Sequence, residues 1–172
     1  MDFIQQNAKT WEEVRLGAAA VEAWGVKDCP FDLKPWQETI NKGVDAKLPP
    51  IGEGGARTIG SLAAFTYRLG LQKDGDSSPA QIARLLDSGQ LPDGGWRRGA
   101  ATGSDMETTY RVMRAYHLLK EKPKDVAKLR EFVAKCRNTD GGYGVKPGDK
   151  SSVSGVYYAA IVTKWLDEME KK

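Results

Sequence analysis

The chain has 172 residues, 40% of them hydrophobic and 28% charged, enough apolar side chain for a real core and too much for a disordered or low-complexity polymer. Its 26 basic and 23 acidic residues leave a net charge of +3, spread without a basic block, so no nucleic-acid partner is expected. Cys29 and Cys136 stand far apart with no Cys-x-x-Cys or Cys/His spacing, which excludes a disulfide framework and a zinc knuckle. The N-terminus lacks the basic flank and apolar run of a signal peptide, and no window approaches a membrane span, so a cytoplasmic location is expected.

The first helix is expected to begin at Thr10, with Glu13 completing a capping box, and to end at Gly25. Val14, Ala18 and Val21 make it small-sided and mostly apolar. Pro35 suits the first turn of a second helix, on which Trp36, Ile40 and Val44 recur at four-residue steps on one face. The connection from Leu48 to Gly55 carries no helix signal and ends in a glycine pair. A third helix, from about Arg57 to Leu69, has Ile59, Leu62, Ala63, Phe65 and Tyr67 around much of its circumference and must be buried on more than one side. Ser78 with Gln81 starts a short helix with one apolar stripe, Ile82, Leu85 and Leu86.

Ser104 with Glu107 reads as another capping box, launching a helix whose Met106, Tyr110, Val112, Met113, Tyr116, Leu118 and Leu119 leave little of it polar. His117, the single histidine, is expected to be a partly buried residue of this helix. Val126, Leu129, Val133 and Cys136 then form a single stripe, with Lys124, Lys128, Arg130 and Lys135 left for water. The last helix, from Ser151 to about Glu170, again carries apolar groups on several sides, among them Val153, Val156, Tyr157, Ala160, Ile161, Trp165, Leu166 and Met169. Apolar and one-sided helices therefore alternate, and stacked side by side they form an inner and an outer layer of a curved helical array.

An internal repeat underlies the alternation. Asp93-Gly94-Gly95-Trp96 returns as Asp140-Gly141-Gly142-Tyr143, and Gly94 to Gly141, Ser104 to Ser151, Tyr110 to Tyr157 and Leu119 to Leu166 are each 47 residues apart. Gly54-Gly55 lies 40 residues before Gly94-Gly95 and reads as a degenerate copy. The paired glycines permit positive φ and close backbone approach, Trp96 or Tyr143 can pack over the neighbouring helix pair, and the serine is expected to cap the inner helix.

This turn and helix, Asp-Gly-Gly-aromatic followed by Ser-x-x-x-x-x-Tyr, resemble the repeat of protein prenyltransferase β subunits and squalene or terpene cyclases, most closely over residues 91 to 166. The resemblance implies an all-α, α/α-toroid-like array of inner and outer helices. Here it would be about half a ring, three helix pairs plus one final helix, as a single domain with repeats near 8–48, 49–90, 91–137 and 138–172. Half a ring would expose its apolar inner layer, so either two copies associate or a complementary half-toroid subunit or missing half completes the ring.

The resemblance also implies where chemistry would sit. Protein prenyltransferases hold zinc with an Asp and a Cys at an inner-helix start and a His one repeat later; aligned on Tyr110, these positions fall on Glu107, Thr109, and Ser154 or Gly155. No metal and no other cofactor is therefore expected. Protonating cyclases use Asp-x-Asp-Asp-Thr, whose nearest match is Asp105-Met-Glu107-Thr108-Thr109, which makes Asp105 and Glu107 the candidate catalytic acids with one of three missing. What remains of the transferase pattern is diphosphate handling: Tyr110, with Arg97 and Arg98 in the preceding loop, and Trp96, Tyr143 and Tyr157 as further ligand-binding candidates. Trp24, Tyr67, Tyr116 and Trp165 are aromatic candidates for either an apolar funnel or ordinary core.

Three functions follow. The first is a repeat domain without the usual catalytic residues that binds an apolar, isoprenoid-like ligand or a partner. The second is an isoprenoid-diphosphate transferase or cyclase completed by another subunit or missing half. The third is a purely structural repeat scaffold.

Overall fold

Polar N-caps, Thr10, Ser78, Asp105, Asp125 and Ser152, start five of the helices in the computed structural model, which describes residues 2–45 and 50–171. Among the described residues there are eight α-helices: α1 (Asp2–Asn7), α2 (Trp11–Trp24), α3 (Lys34–Asp45), α4 (Gly55–Arg68), α5 (Pro79–Asp87), α6 (Met106–Leu119), α7 (Val126–Lys135) and α8 (Val153–Glu170). They include no strand, and Arg137 and Tyr143 form an isolated antiparallel bridge. The fold class is all-α. Val44 is within α3 but its side chain, like the repeat boundary at 48/49, lies outside what is described.

The chain divides into two compact units, residues 1–48 with 62–76 and residues 49–61 with 77–172, so that α4 contributes to both. In the first unit, the capping box expected at Thr10 and Glu13 starts α2, and Gly25, at φ 105°, ends it. Val14, Ala18 and Val21 of α2 pack with Trp36 and Ile40 of α3 and with Phe65 and Leu69. Gly17 is needed at that contact, because a Cβ there would stand 2.6 Å from the Trp36 ring. Trp24 is exposed and joins no core.

The second unit shows the repeat bond for bond. The helices α5 and α7 begin 47 residues apart, as do α6 and α8. In one repeat the Asp93 carboxylate accepts the Gly95 amide at 3.1 Å and the Ser104 hydroxyl at 2.5 Å. In the next, Asp140 accepts the Gly142 amide at 2.9 Å and the Ser151 hydroxyl at 2.7 Å. The Asp105 amide donates to the Trp96 carbonyl and the Ser152 amide to the Tyr143 carbonyl, both at 3.0 Å. The aspartate thus clasps the glycine turn to the residue just before the helix cap. Gly54, Gly94 and Gly141 share positive φ values of 96°, 97° and 82°, which marks the first glycine of each pair as the same turn position.

Several expectations are corrected here. No capping box joins Ser104 to Glu107: Asp105 is the N-cap of α6, accepting the Thr108 amide, while Ser104 turns back to Asp93. Likewise Ser152, not Ser151, caps α8. The Ile51–Glu53 segment, read as free of helix, forms a short 3-10 turn, and α4 starts two residues early at Gly55. On α5 the buried positions are Ala83 and Leu86, with Leu85 exposed. His117 is on α6 as expected but is exposed, stacked on Trp165 and 3.6 Å from the Glu168 carboxylate.

Burial supports the alternation for α4 to α7. No residue of α4 is exposed, and α6 exposes His117 alone, whereas α7 buries one stripe, Leu129, Phe132 and Val133, continued by Cys136. The last helix departs from it. Only Gly155, Ala159, Val162, Leu166 and Met169 of α8 are buried, and Val153, Val156 and Tyr157 face solvent.

The equivalent glycines give a direct test. A Cβ on Gly94 would overlap the backbone of Lys128 in α7, whereas one on Gly141 meets nothing within 4 Å. Gly141→Ala is expected to cost only the positive-φ penalty, about 1–2 kcal/mol. Gly94→Ala adds an overpacking term of about 1–3 kcal/mol to the same penalty. Urea unfolding of the two variants checks the difference; equal losses would mean that the turn does not bear on α7.

Candidate functional site

The site grows from the first turn of α6. Asp105 caps the helix and is itself buried, its carboxylate accepting both the Thr108 amide and the Thr108 hydroxyl at 2.8 Å. That geometry leaves it no free edge toward a reactant. Two residues on, Glu107 points away from the cap and into a ring of guanidinium groups.

Arg57 from α4 meets Glu107 Oε1 at 3.0 Å, and Arg111, one turn along α6, reaches the same oxygen at 2.9 Å. Arg98, from the glycine loop, pairs with Oε2. Burial on its own would raise the Glu107 pKa, but the Arg57 hydrogen bond and the charges of Arg111, Arg98 and Arg57 outweigh it and hold the carboxyl below its ordinary value. The glutamate side chain is 21% exposed and Arg98 54%, so the arginines form one wall of an accessible surface. Three guanidiniums thus converge on one carboxylate.

Beside this cluster lies an aromatic group carried by α6 and α8. Tyr110 stacks on Trp165 with ring centroids 5.6 Å apart at 10°, meets Tyr158 at 5.1 Å, and carries the Arg114 guanidinium 4.5 Å over its ring. Its hydroxyl is 2.9 Å from that of Tyr157, its counterpart 47 residues later. Burial and then the negative charge of Glu107 raise the Tyr158 pKa, against the opposing charges of Arg111 and Arg98, which places this phenol within electrostatic reach of the arginine cluster.

Of the residues proposed from sequence, Glu107, Arg98, Tyr110 and Tyr157 are brought together here. Arg97 instead donates to the Ala101 carbonyl of its own loop at 3.2 Å. Trp96 is fully buried, with its indole N–H on the Leu86 carbonyl at 2.9 Å, so its ring is core and presents no face to a ligand. Tyr143 is half-buried in the second glycine turn, where its carbonyl packs so closely on Gly155 that a Cβ there would overlap it. Tyr116 is core, its hydroxyl held by Asp87 at 2.7 Å.

Sequence reasoning missed Arg57, Arg111 and Tyr158. The Glu107–Arg111 pair was available from its four-residue helical spacing. Arg57 had no local signal, because 50 residues separate it from its partner.

The zinc arrangement implied by the family resemblance does not fit these residues. Glu107 is occupied by three arginines, the Thr109 hydroxyl accepts the Trp96 amide at 3.2 Å, Ser154 is a solvent-exposed hydroxyl, and Gly155 has no side chain. Such a donor set offers neither a thiolate nor an imidazole to a metal.

No curated protein matches the chain significantly. The family model described as "prenyltransferase alpha-alpha toroid domain" matches residues 55–171, from the start of α4 to the end of α8. The matched span contains every element of the site, and the chain belongs to the prenyltransferase alpha-alpha toroid domain family.

Proposed function

We propose that the domain binds a ligand with an anionic head and an apolar, isoprenoid-like tail, and that it does so without using Asp105 or Glu107 as catalytic acids. The head is held by Arg57, Arg98 and Arg111, and the tail lies along Tyr157 and Tyr158, with the buried Tyr110 behind them. The observation that carries this reading is the state of Glu107. A carboxylate paired to three guanidiniums and held ionised is a poor proton donor and a poor metal ligand, and it fixes the Arg98 guanidinium, 54% exposed, at the surface. An exposed guanidinium beside an aromatic wall suits a diphosphate attached to a hydrocarbon.

Calorimetric titration with farnesyl or geranylgeranyl diphosphate tests this. Binding is expected, weakening as salt rises, with roughly tenfold or greater loss in Arg98→Ala, as removal of a charge-assisted hydrogen bond costs about 1.5–3 kcal/mol. Tyr110→Phe should weaken it less. No heat with either ligand, or binding indifferent to Arg98→Ala, would leave a structural scaffold as the function.

The pairing of Glu107 also predicts a pH dependence of stability. Its folded pKa is depressed, so its contribution is fully present above the ordinary glutamate value, about 4.3, and is lost as pH falls through the folded value. Wild type is expected to exceed Glu107→Gln by about 1–2 kcal/mol near neutrality, a range set by its partial exposure. Chemical denaturation of both proteins between pH 7 and pH 2 should show the gap closing below about pH 4. A constant gap would mean that the carboxylate is not held by charge.

A further inference from the structure

The two oxygens of Glu107 are paired unevenly. Oε1 accepts from Arg57 at 3.0 Å and from Nε and Nη2 of Arg111 at 3.1 and 2.9 Å, whereas Oε2 is met by Arg98. The donors to Oε1 rise from α4 and α6 and are 28% and 15% exposed, so helix backbone and packing hold them in place. Arg98 differs on both counts, being 54% exposed and carried by the loop between the glycine turn and α6. That loop is pinned beneath it. The Ala101 amide donates to the Arg98 carbonyl and the Ala101 carbonyl accepts from the Arg97 guanidinium, both at 3.2 Å. The Arg98 side chain can therefore change partner by turning about its own bonds, with no movement of the backbone.

We propose that Glu107 is a built-in competitor for the anionic head of the ligand, and that Arg98 is exchanged between the two. The inference rests on the ligand reading given above. In the free chain Arg98 pairs with Oε2, and on binding it turns from Oε2 to the head. Arg57 and Arg111, each with several N–H donors, keep Oε1 as they meet the same head. Such an exchange yields only the difference between the ion pair formed and the one given up. A carboxylate head would offer Arg98 no more than Glu107 already gives. A diphosphate brings more charge and more acceptor oxygens, so it is the head for which the exchange is favourable. Breaking the Oε2 pair lowers affinity and shortens the time for which the ligand stays bound.

Calorimetric titration of farnesyl diphosphate into wild type, Glu107→Gln, Arg98→Ala and the double variant tests the exchange. Glutamine keeps the length of the side chain and an oxygen for Arg57 and Arg111, and removes the charge that holds Arg98. Glu107→Gln is expected to bind about tenfold tighter than wild type, with helical circular dichroism unchanged. In the Arg98→Ala background, where there is no arm to release, the same substitution is expected to gain less than about threefold. In wild type itself, the NMR resonance of the Arg98 Nε–H, identified by its loss in Arg98→Ala, is expected to shift on saturation with ligand. Wild-type binding with no gain in Glu107→Gln, an equal gain in both backgrounds, or an unmoved Arg98 resonance would overturn the exchange and leave the ligand reading standing. No heat from wild type or from Glu107→Gln would end the ligand reading, and the exchange with it.

Discussion

The constraint on which the second unit depends is the clasp between an aspartate, a glycine amide and a serine hydroxyl. Asp93 and Asp140 each hold a turn whose first glycine sits at positive φ and whose second approaches the serine too closely for any Cβ. Together with the backbone bonds from Asp105 to Trp96 and from Ser152 to Tyr143, it ties the helix start to the glycine turn. With it, Asp105 and Ser152 are delivered as caps at the same point of successive repeats. A carboxylate acceptor takes several donors at once here, the Gly95 amide and both the amide and hydroxyl of Ser104 at Asp93, the Gly142 amide and Ser151 hydroxyl at Asp140.

The sequence was most legible where the signal was local and complete. The capping boxes at Thr10 and Ser78 were both readable, since each needs only a hydroxyl and a carboxylate or amide three positions on. The same pattern at Ser104 and Glu107 misled because two competitors lay nearby. Asp105, one residue later, is the better acceptor for the helix amides, and Glu107 has three cations to attract it. A capping signature holds only if nothing farther away in the chain outbids its members.

The candidate site divides in the same way. Arg98, Glu107 and Tyr110 belong to the repeat and could be proposed from it, but Trp96 shows the limit of that reasoning. An aromatic in a glycine turn reads equally as ligand wall or as core, and the outcome is decided by where its indole N–H finds an acceptor, here the Leu86 carbonyl of α5. Arg57 illustrates the other gap. Its importance comes from facing Glu107 across two helices, a fact no window of sequence contains. Pattern fixes what a repeat repeats, and tertiary approach selects which of its polar groups meet.

The departures between repeats are therefore as informative as the identities. Both repeats keep the clasp, the turn and the helix register, so backbone geometry alone would make α6 and α8 interchangeable. They differ in what lies against them: Met106 is sealed by a carbonyl and a helix from the next repeat, and Val153 stands in water. Valine at a helix start gains nothing from solvent exposure, and neither its propensity nor its capping role requires an apolar side chain there. Among the described residues of the second unit, the interface of that register is the one between α6 and α8.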